Sequence, residues 1–132
     1  MKSYPKYINA IGRTKFGILD KSIPQLIHES IEKTLIDGSM EIKDIDAIYV
    51  SNFCAGPFEN QLHTNSIVSS LYPDLNIPII RIETACASGS SAFYQALLSL
   101  EKFDNILIVG FEKMTNPDRS EEHTSELQSL LI

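Results

Sequence analysis

Two hydrophobic periods alternate along this chain, and their switch points lay out its elements. Residues 7–12 alternate weakly between apolar and polar and stop at Gly12, which predicts a first strand. Residues 13–20 carry Gly17 and mixed polarity and read as a loop. Ser22 is suited to cap a helix, with Pro24 tolerated in its first turn. Ile23, Leu26, Ile27, Ile31, Thr34 and Leu35 then recur at three- and four-residue spacing, one face of a helix that Gly38 closes as a C′ glycine. Residues 45–50 form a short β-branched and aromatic run, a buried strand, and residues 51–56 with Pro57 break it. Leu62, Ile67, Val68 and Leu71 mark a second, shorter helix over residues 60–71, followed by a turn over 72–76. Residues 77–82 are apolar on both faces and too short for a helix, so they read as a central strand. A third helix spans 88–103, with Ala92, Phe93, Ala96, Leu97 and Leu100 on one face, and residues 105–110 make a final strand.

Helices between short, wholly apolar strands imply right-handed crossovers and a mostly parallel sheet with helices on both faces. The fold class is α/β. No repeat of 20–50 residues and no low-complexity linker interrupts the order.

Composition narrows the function classes. The chain has 132 residues, enough to bury a real core, with 43% hydrophobic and 21% charged residues, ordinary for a soluble globular protein. A net charge of −6 with scattered acidic residues excludes the basic stripe that nucleic acid requires. No apolar run approaches the about 20 residues that cross a bilayer, and the first residues lack the apolar core of a secretory signal. Without an export signal, Cys54 and Cys86 are expected as free thiols in a cytoplasmic protein.

The chemistry centres on Cys86. An apolar strand runs into Glu83-Thr-Ala-Cys86, small residues follow, and a helix begins. A thiol at a helix N-terminus gains thiolate character from backbone N–H groups and the helix dipole. Ala85, Ala87, Ser88 and Gly89 leave little bulk around the sulfur, so a substrate carbonyl can approach it. The C-terminal ends of parallel strands are also where open α/β sheets bind ligands. The alternative is a small cysteine buried between strand and helix.

Residues 83–93, Glu-Thr-Ala-Cys-Ala-Ser-Gly-Ser-Ser-Ala-Phe, resemble the nucleophile segment of the thiolase family. Residues 110–115, Gly-Phe-Glu-Lys-Met-Thr, resemble that family's glycine-Glu-x-Met segment, in the wording of sterol-carrier-type thiolases and acetyl-CoA acetyltransferase-like proteins. The resemblance covers about residues 5–116. It implies that Cys86 accepts an acyl group from an acyl-CoA and releases CoA. A second acyl-CoA is then joined by Claisen condensation, or, in reverse, CoA cleaves a 3-ketoacyl-CoA. By the same resemblance the Cys86 N–H helps hold the oxyanion, and Met114 stands near the acyl pocket as a substrate-binding wall, with an ordinary core methionine as the alternative. No cofactor or metal is expected, the coenzyme A thioester being the substrate. The expected partners are acyl-CoA substrates, a second copy in a homodimer or tetramer, and a small zinc-ribbon/OB-fold acyl-CoA-binding protein. Two other readings stand beside this one: a 3-ketoacyl-carrier-protein synthase relative, and a non-catalytic CoA- or lipid-binding or scaffolding protein. The Glu112-Lys-Met-Thr wording argues against the synthase.

Other candidates weigh less. Cys54 follows a strand and, with no histidine partner nearby, makes no zinc pattern with Cys86. His28 and His63 lie on or beside helices and are not assigned as the base. No phosphate-binding glycine loop is present. The family's Gly-His-Pro histidine, its Asn- or His-containing oxyanion segment and its second Cys have no counterpart here, so the chain reads as the first part of a thiolase, inactive or nearly so alone. Residues 1–118 are read as that N-terminal part. Residues 119–132 resemble a translated sequencing adapter and are set aside, His123 with them; the alternative is a short helix capped by Ser120. With the native C-terminus expected to be missing, a peroxisomal address stays open.

Overall fold

The computed structural model describes residues 4–56 and 60–114 together with the backbone of a strand at 129–131. In chain order the elements are β1 (Ala10–Gly12), α1 (Ile23–Asp37), a 3-10 turn (Ile42–Asp44), β2 (Ala47–Ser51), α2 (Thr64–Leu71), β3 (Ile79–Ile82), α3 (Ser88–Ser99), β4 (Ile106–Gly110) and β5 (Ser129–Leu131). They form one five-stranded sheet in the order β1-β5-β4-β2-β3. β2 pairs in parallel with β3 and with β4, whereas β5 runs antiparallel to β1 and β4. The α/β class expected from the pattern is the fold observed.

Register decides which side chains face which layer. β2 and β4 align Ile48 with Leu107 and Val50 with Val109, and these four face α1 and α2 in a cluster with Ile27, Ile31, Leu35 and Val68. The alternate positions, Ala47, Tyr49, Ile106 and Ile108, face α3 and pack on Ala92 and Ala96. Helices therefore cover both faces. The first cluster is built from large aliphatic side chains, each worth about 1.5–3 kcal/mol on full burial, and dominates the core. The second is thinner: alanines let α3 lie close to the sheet, and the Tyr49 and Ser99 hydroxyls meet at 2.6 Å to fix it there.

Local sequence explains the start of α1. Ser22 caps it, its Oγ accepting from the Gln25 N–H at 3.4 Å while the Gln25 Oε1 accepts from the Ser22 N–H at 2.8 Å, a reciprocal capping box. Its end differs from the expectation. Gly38 is right-handed, with φ −81°, and the left-handed residue is Ser39, with φ 51°. The Met40 N–H donates to the Leu35 carbonyl at 2.9 Å and the Ser39 N–H to the Ile36 carbonyl at 3.1 Å, so Ser39 occupies the C′ position of a Schellman motif. The glycine thus precedes the position that favours glycine. Ser39→Gly is expected to stabilise the protein by about 1 kcal/mol, read as a higher urea midpoint at unchanged slope.

Other expectations also shift, the strands starting one to three residues later than their patterns suggest. α2 starts at Thr64, four residues later than its pattern suggests. α3 ends at Ser99 because the Asp46 carboxylate accepts the N–H groups of Asp104 and Asn105, at 3.0 and 2.9 Å, and draws the chain toward β4. Among the described residues β3 is an edge strand and not a central one. Ile79 packs in the first cluster and Ile82 in the second, which gives the apolar run, yet Ile80 is 45% exposed. Periodicity reports burial of side chains on two faces and is silent about a missing neighbour in the hydrogen-bonding direction. Ser129–Leu131, in the segment set aside above, pairs as β5; residues 115–128 lie outside the described residues.

Candidate active site

The three adjacent parallel strands β3, β2 and β4 deliver their C-terminal ends to one edge of the sheet. A cavity of about 750 Å³ opens there. Cys86, Ser88 and Phe93 line it from the β3–α3 side, Phe53 from the loop after β2, and Glu112 and Met114 from the segment after β4. The two residues picked from sequence, Cys86 and Met114, thus stand in the wall of one cavity. They are 28 positions apart in sequence.

Cys86 sits in a tight connection between β3 and α3, one residue ahead of the helix cap Ala87. Its thiol is exposed, so the buried packing cysteine considered from sequence is not what the fold makes of it. The residue before it, Ala85, has φ 51°, a left-handed conformation that costs a non-glycine residue about 1–2 kcal/mol. Side chains of the same segment hold it. The Glu83 Oε1 accepts from the Ala85 N–H at 2.5 Å. Ser88 Oγ accepts from the Thr84 N–H at 3.0 Å and donates to the Ala85 carbonyl at 2.7 Å. Thr84 and Ser91 hydroxyls meet at 2.6 Å. α3 has no side-chain cap, so its first N–H groups are not taken up by a capping side chain and face the end of the helix where Cys86 stands.

On the opposite wall the carboxylate of Glu112 accepts from two successive backbone N–H groups, those of Phe53 and, at 3.0 Å, Cys54. The Asn52 amide donates to the Phe111 carbonyl at 2.9 Å, and its oxygen accepts from the Ala55 N–H at 3.0 Å. These bonds tie the loops after β2 and β4 together. Sequence reasoning did not single out the bracing roles of Asn52, Glu83, Ser88 and Glu112. Glu83, two residues before Ala85, and Ser88, three after it, are at turn-bracing spacing and were legible; the pairing of Glu112 with residue 53 is tertiary.

Cys54 is buried, and its thiol is pushed up from the usual range, first by burial and then by the charge of Glu112. It carries less thiolate than a free cysteine near neutral pH. Iodoacetamide is therefore expected to label Cys86 more than tenfold faster than Cys54 at pH 7.5, as read by peptide mass mapping; equal rates would contradict the burial difference.

The histidines stand elsewhere. His28 is exposed on α1, with Nε2 3.6 Å from the Glu32 carboxylate, and His63 is exposed ahead of α2. Neither lines the cavity. His123 lies outside the described residues. Among the described residues no group of three or more His, Cys, Asp or Glu is placed to hold a metal ion, and no helix is long and apolar enough to cross a membrane.

With this geometry in view, comparison with known proteins places the chain. Residues 7–130 match the family model for the thiolase N-terminal domain. An acetyl-CoA acetyltransferase of Methanocaldococcus jannaschii is 43% identical over 109 residues, 80% of this chain and 28% of that protein. A β-ketoacyl-[acyl-carrier-protein] synthase III of Rickettsia massiliae is 32% identical over 116 residues, 79% of this chain and 35% of that protein. Among solved structures, the 3-oxoacyl-[acyl-carrier-protein] synthase III of Aquifex aeolicus superposes with a TM-score of 0.68 at 15% identity, over 86% of this chain and 39% of that one. The chain thus spans between about a quarter and two fifths of the length of these relatives. On the family model and the shared fold, it belongs to the thiolase family, as a thiolase N-terminal domain.

Proposed function

We propose that this chain is the nucleophile-bearing part of a thiolase-type acyl-CoA acyltransferase, with Cys86 as the acyl acceptor. One observation carries the reading: an exposed thiol, held on a strained and braced turn, at the wall of a cavity on the C-terminal edge of the sheet. The Cys86 thiolate attacks the thioester carbonyl, the carbon–sulfur bond to CoA breaks, and CoA leaves as its thiolate. The Cys86 N–H and the α3 N-terminus stabilise the oxyanion on the way. Met114 serves as a wall for the acyl group. Transfer of the acyl group to a second acyl-CoA, or to CoA in the degradative direction, needs a proton donor and acceptor. Among the described residues no histidine lines this cavity, and we assign that role to a part of the whole protein outside them. The coenzyme A thioester is the substrate, with no resident cofactor.

To test this, the whole protein is incubated with acetyl-CoA and digested, and the peptides are read by mass spectrometry. An acetyl group on the Cys86 peptide is expected. CoA binding with no adduct would favour the non-catalytic scaffold, and an adduct on Cys54 alone would move the nucleophile.

The similarity to synthase III proteins in sequence and fold supports a second reading, a carrier-protein-dependent condensing enzyme. The second substrate separates the two: condensation with an acyl-CoA supports the thiolase, and a strict need for a carrier-protein thioester supports the synthase. The homodimer rests on β3, whose outer edge has no strand neighbour among the described residues. A zinc-ribbon/OB-fold partner, a role in lipid metabolism and a cytoplasmic location complete the proposal. Residues 119–132 are proposed to be foreign to the domain on their adapter-like sequence; against this stand the pairing of Ser129–Leu131 in the sheet and the family match to residue 130.

A further inference from the structure

We propose that Glu112 is a positioning residue for the thioester: its carboxylate fixes the loop after β2, and with it the Phe53 wall of the cavity, relative to Cys86. This rests on the acyltransferase reading above. β2 and β4 are neighbours whose last register pair is Ser51 with Gly110. Glu112 follows that pair by two residues and Phe53 by two, so both leave the sheet at the same height. The Phe111 N–H donates to the Ser51 carbonyl at 3.2 Å, and Asn52 returns a bond to the Phe111 carbonyl at 2.9 Å. These fix both chains as far as the cavity rim. Glu112 carries the bracing further, to the N–H groups of Phe53 and Cys54.

A carboxylate in a wall shared with Phe53, Phe93 and Met114 needs compensation for its lost hydration. No cation pairs with it among the described residues; the neighbouring Lys113 ammonium instead donates to the Lys21 carbonyl at 3.2 Å. Two amide donors, one for each carboxylate oxygen, supply that compensation and set the carboxylate in a plane fixed by the loop backbone. With both oxygens engaged, Glu112 is poorly placed to take a proton from substrate, which separates positioning from base catalysis. Phe53 is 45% exposed and has little packing of its own to hold it, so its place in the wall depends on its backbone.

The test is a double-mutant cycle in the whole protein, read as the single-turnover rate of acetyl transfer from acetyl-CoA to Cys86. Glu112→Gln puts an amide donor against one backbone donor, and Phe53→Ala removes the wall. Each is expected to slow acetylation by about tenfold or more, since small misplacements of a reacting group carry losses of that size. The double variant is expected to be no slower than the slower single one, within about twofold, because both remove the same wall. Alkylation of Cys86 by iodoacetamide, which needs no wall, is expected to stay within about twofold of wild type. Multiplying effects, or an equal loss of iodoacetamide reactivity in Glu112→Gln, would overturn the proposal. Should Glu112→Gln fail to fold, Phe53→Ala decides alone: an unchanged acetylation rate overturns it. A wild-type protein that takes up no acetyl group refutes the acyltransferase reading before any variant is made.

Discussion

Cys86→Ser is expected to lower acyl-enzyme formation from acetyl-CoA by at least about 10³-fold in the whole protein, with the fold intact. The size follows from the nucleophile. A thiol near neutral pH supplies some thiolate unaided, whereas a serine hydroxyl needs a base within hydrogen-bond reach. Among the described residues no histidine lines the cavity: His28 and His63 are exposed and stand outside its lining. The exposed side chain makes the swap nearly neutral for stability, within about 0.5 kcal/mol. The checks are a rapid-quench measurement of the acetyl adduct and a urea unfolding curve on the same sample. Acetylation persisting within tenfold of wild type would assign the acyl group to another residue. A large loss of stability would show instead that Cys86 is part of the packing.

The second large effect is structural. Gly12→Ala is expected to destabilise the protein by about 3 kcal/mol, a large share of the 5–15 kcal/mol that holds a typical domain together. A Cβ at Gly12 would stand 2.3 Å from Thr34 Oγ1, 2.5 Å from the Thr34 nitrogen and 2.7 Å from the Ser30 carbonyl oxygen. Two of these are backbone atoms of α1. The third belongs to a fully buried hydroxyl that donates to the Ser30 carbonyl at 2.7 Å. Relief would require separating β1 from α1, which loosens the Ala10 contact with the first core cluster. A urea midpoint within 1 kcal/mol of wild type would show that β1 can move at little cost. Gly89 is the contrast, since a Cβ there meets nothing within 4 Å.

Both effects concern residues the sequence made conspicuous, but for different reasons. Cys86 was legible as a candidate because strand, small residues and helix follow one another without interruption, and the resemblance of residues 83–93 to the thiolase nucleophile segment favoured it over a buried packing cysteine. Gly12 was legible as the end of a strand, while the need for glycine came from α1 crossing it. Glu112 shows the division most clearly. Its place in a recognisable segment could be read directly, but its partners, Phe53 and Cys54, lie 59 and 58 residues away. Met114 was picked through family resemblance, and the fold sets it in the same wall as Cys86.

By itself the sequence determined the types of the four strands and three helices up to residue 110, the α/β class with helices on both faces, the Ser22 cap and the thiol at the β3–α3 junction. Each of these follows from side-chain periodicity or from contacts within a few residues, which a linear pattern contains. Tertiary structure decided that Ser39 and not Gly38 turns left-handed at the end of α1, that β3 is an edge, and that Ser129–Leu131 pairs between β1 and β4. It also decided that Asn52 and Glu112 close one wall of the cavity opposite Cys86. Those outcomes depend on hydrogen bonds between strands and on contacts between loops far apart in the chain. Side-chain polarity along one segment carries no record of either.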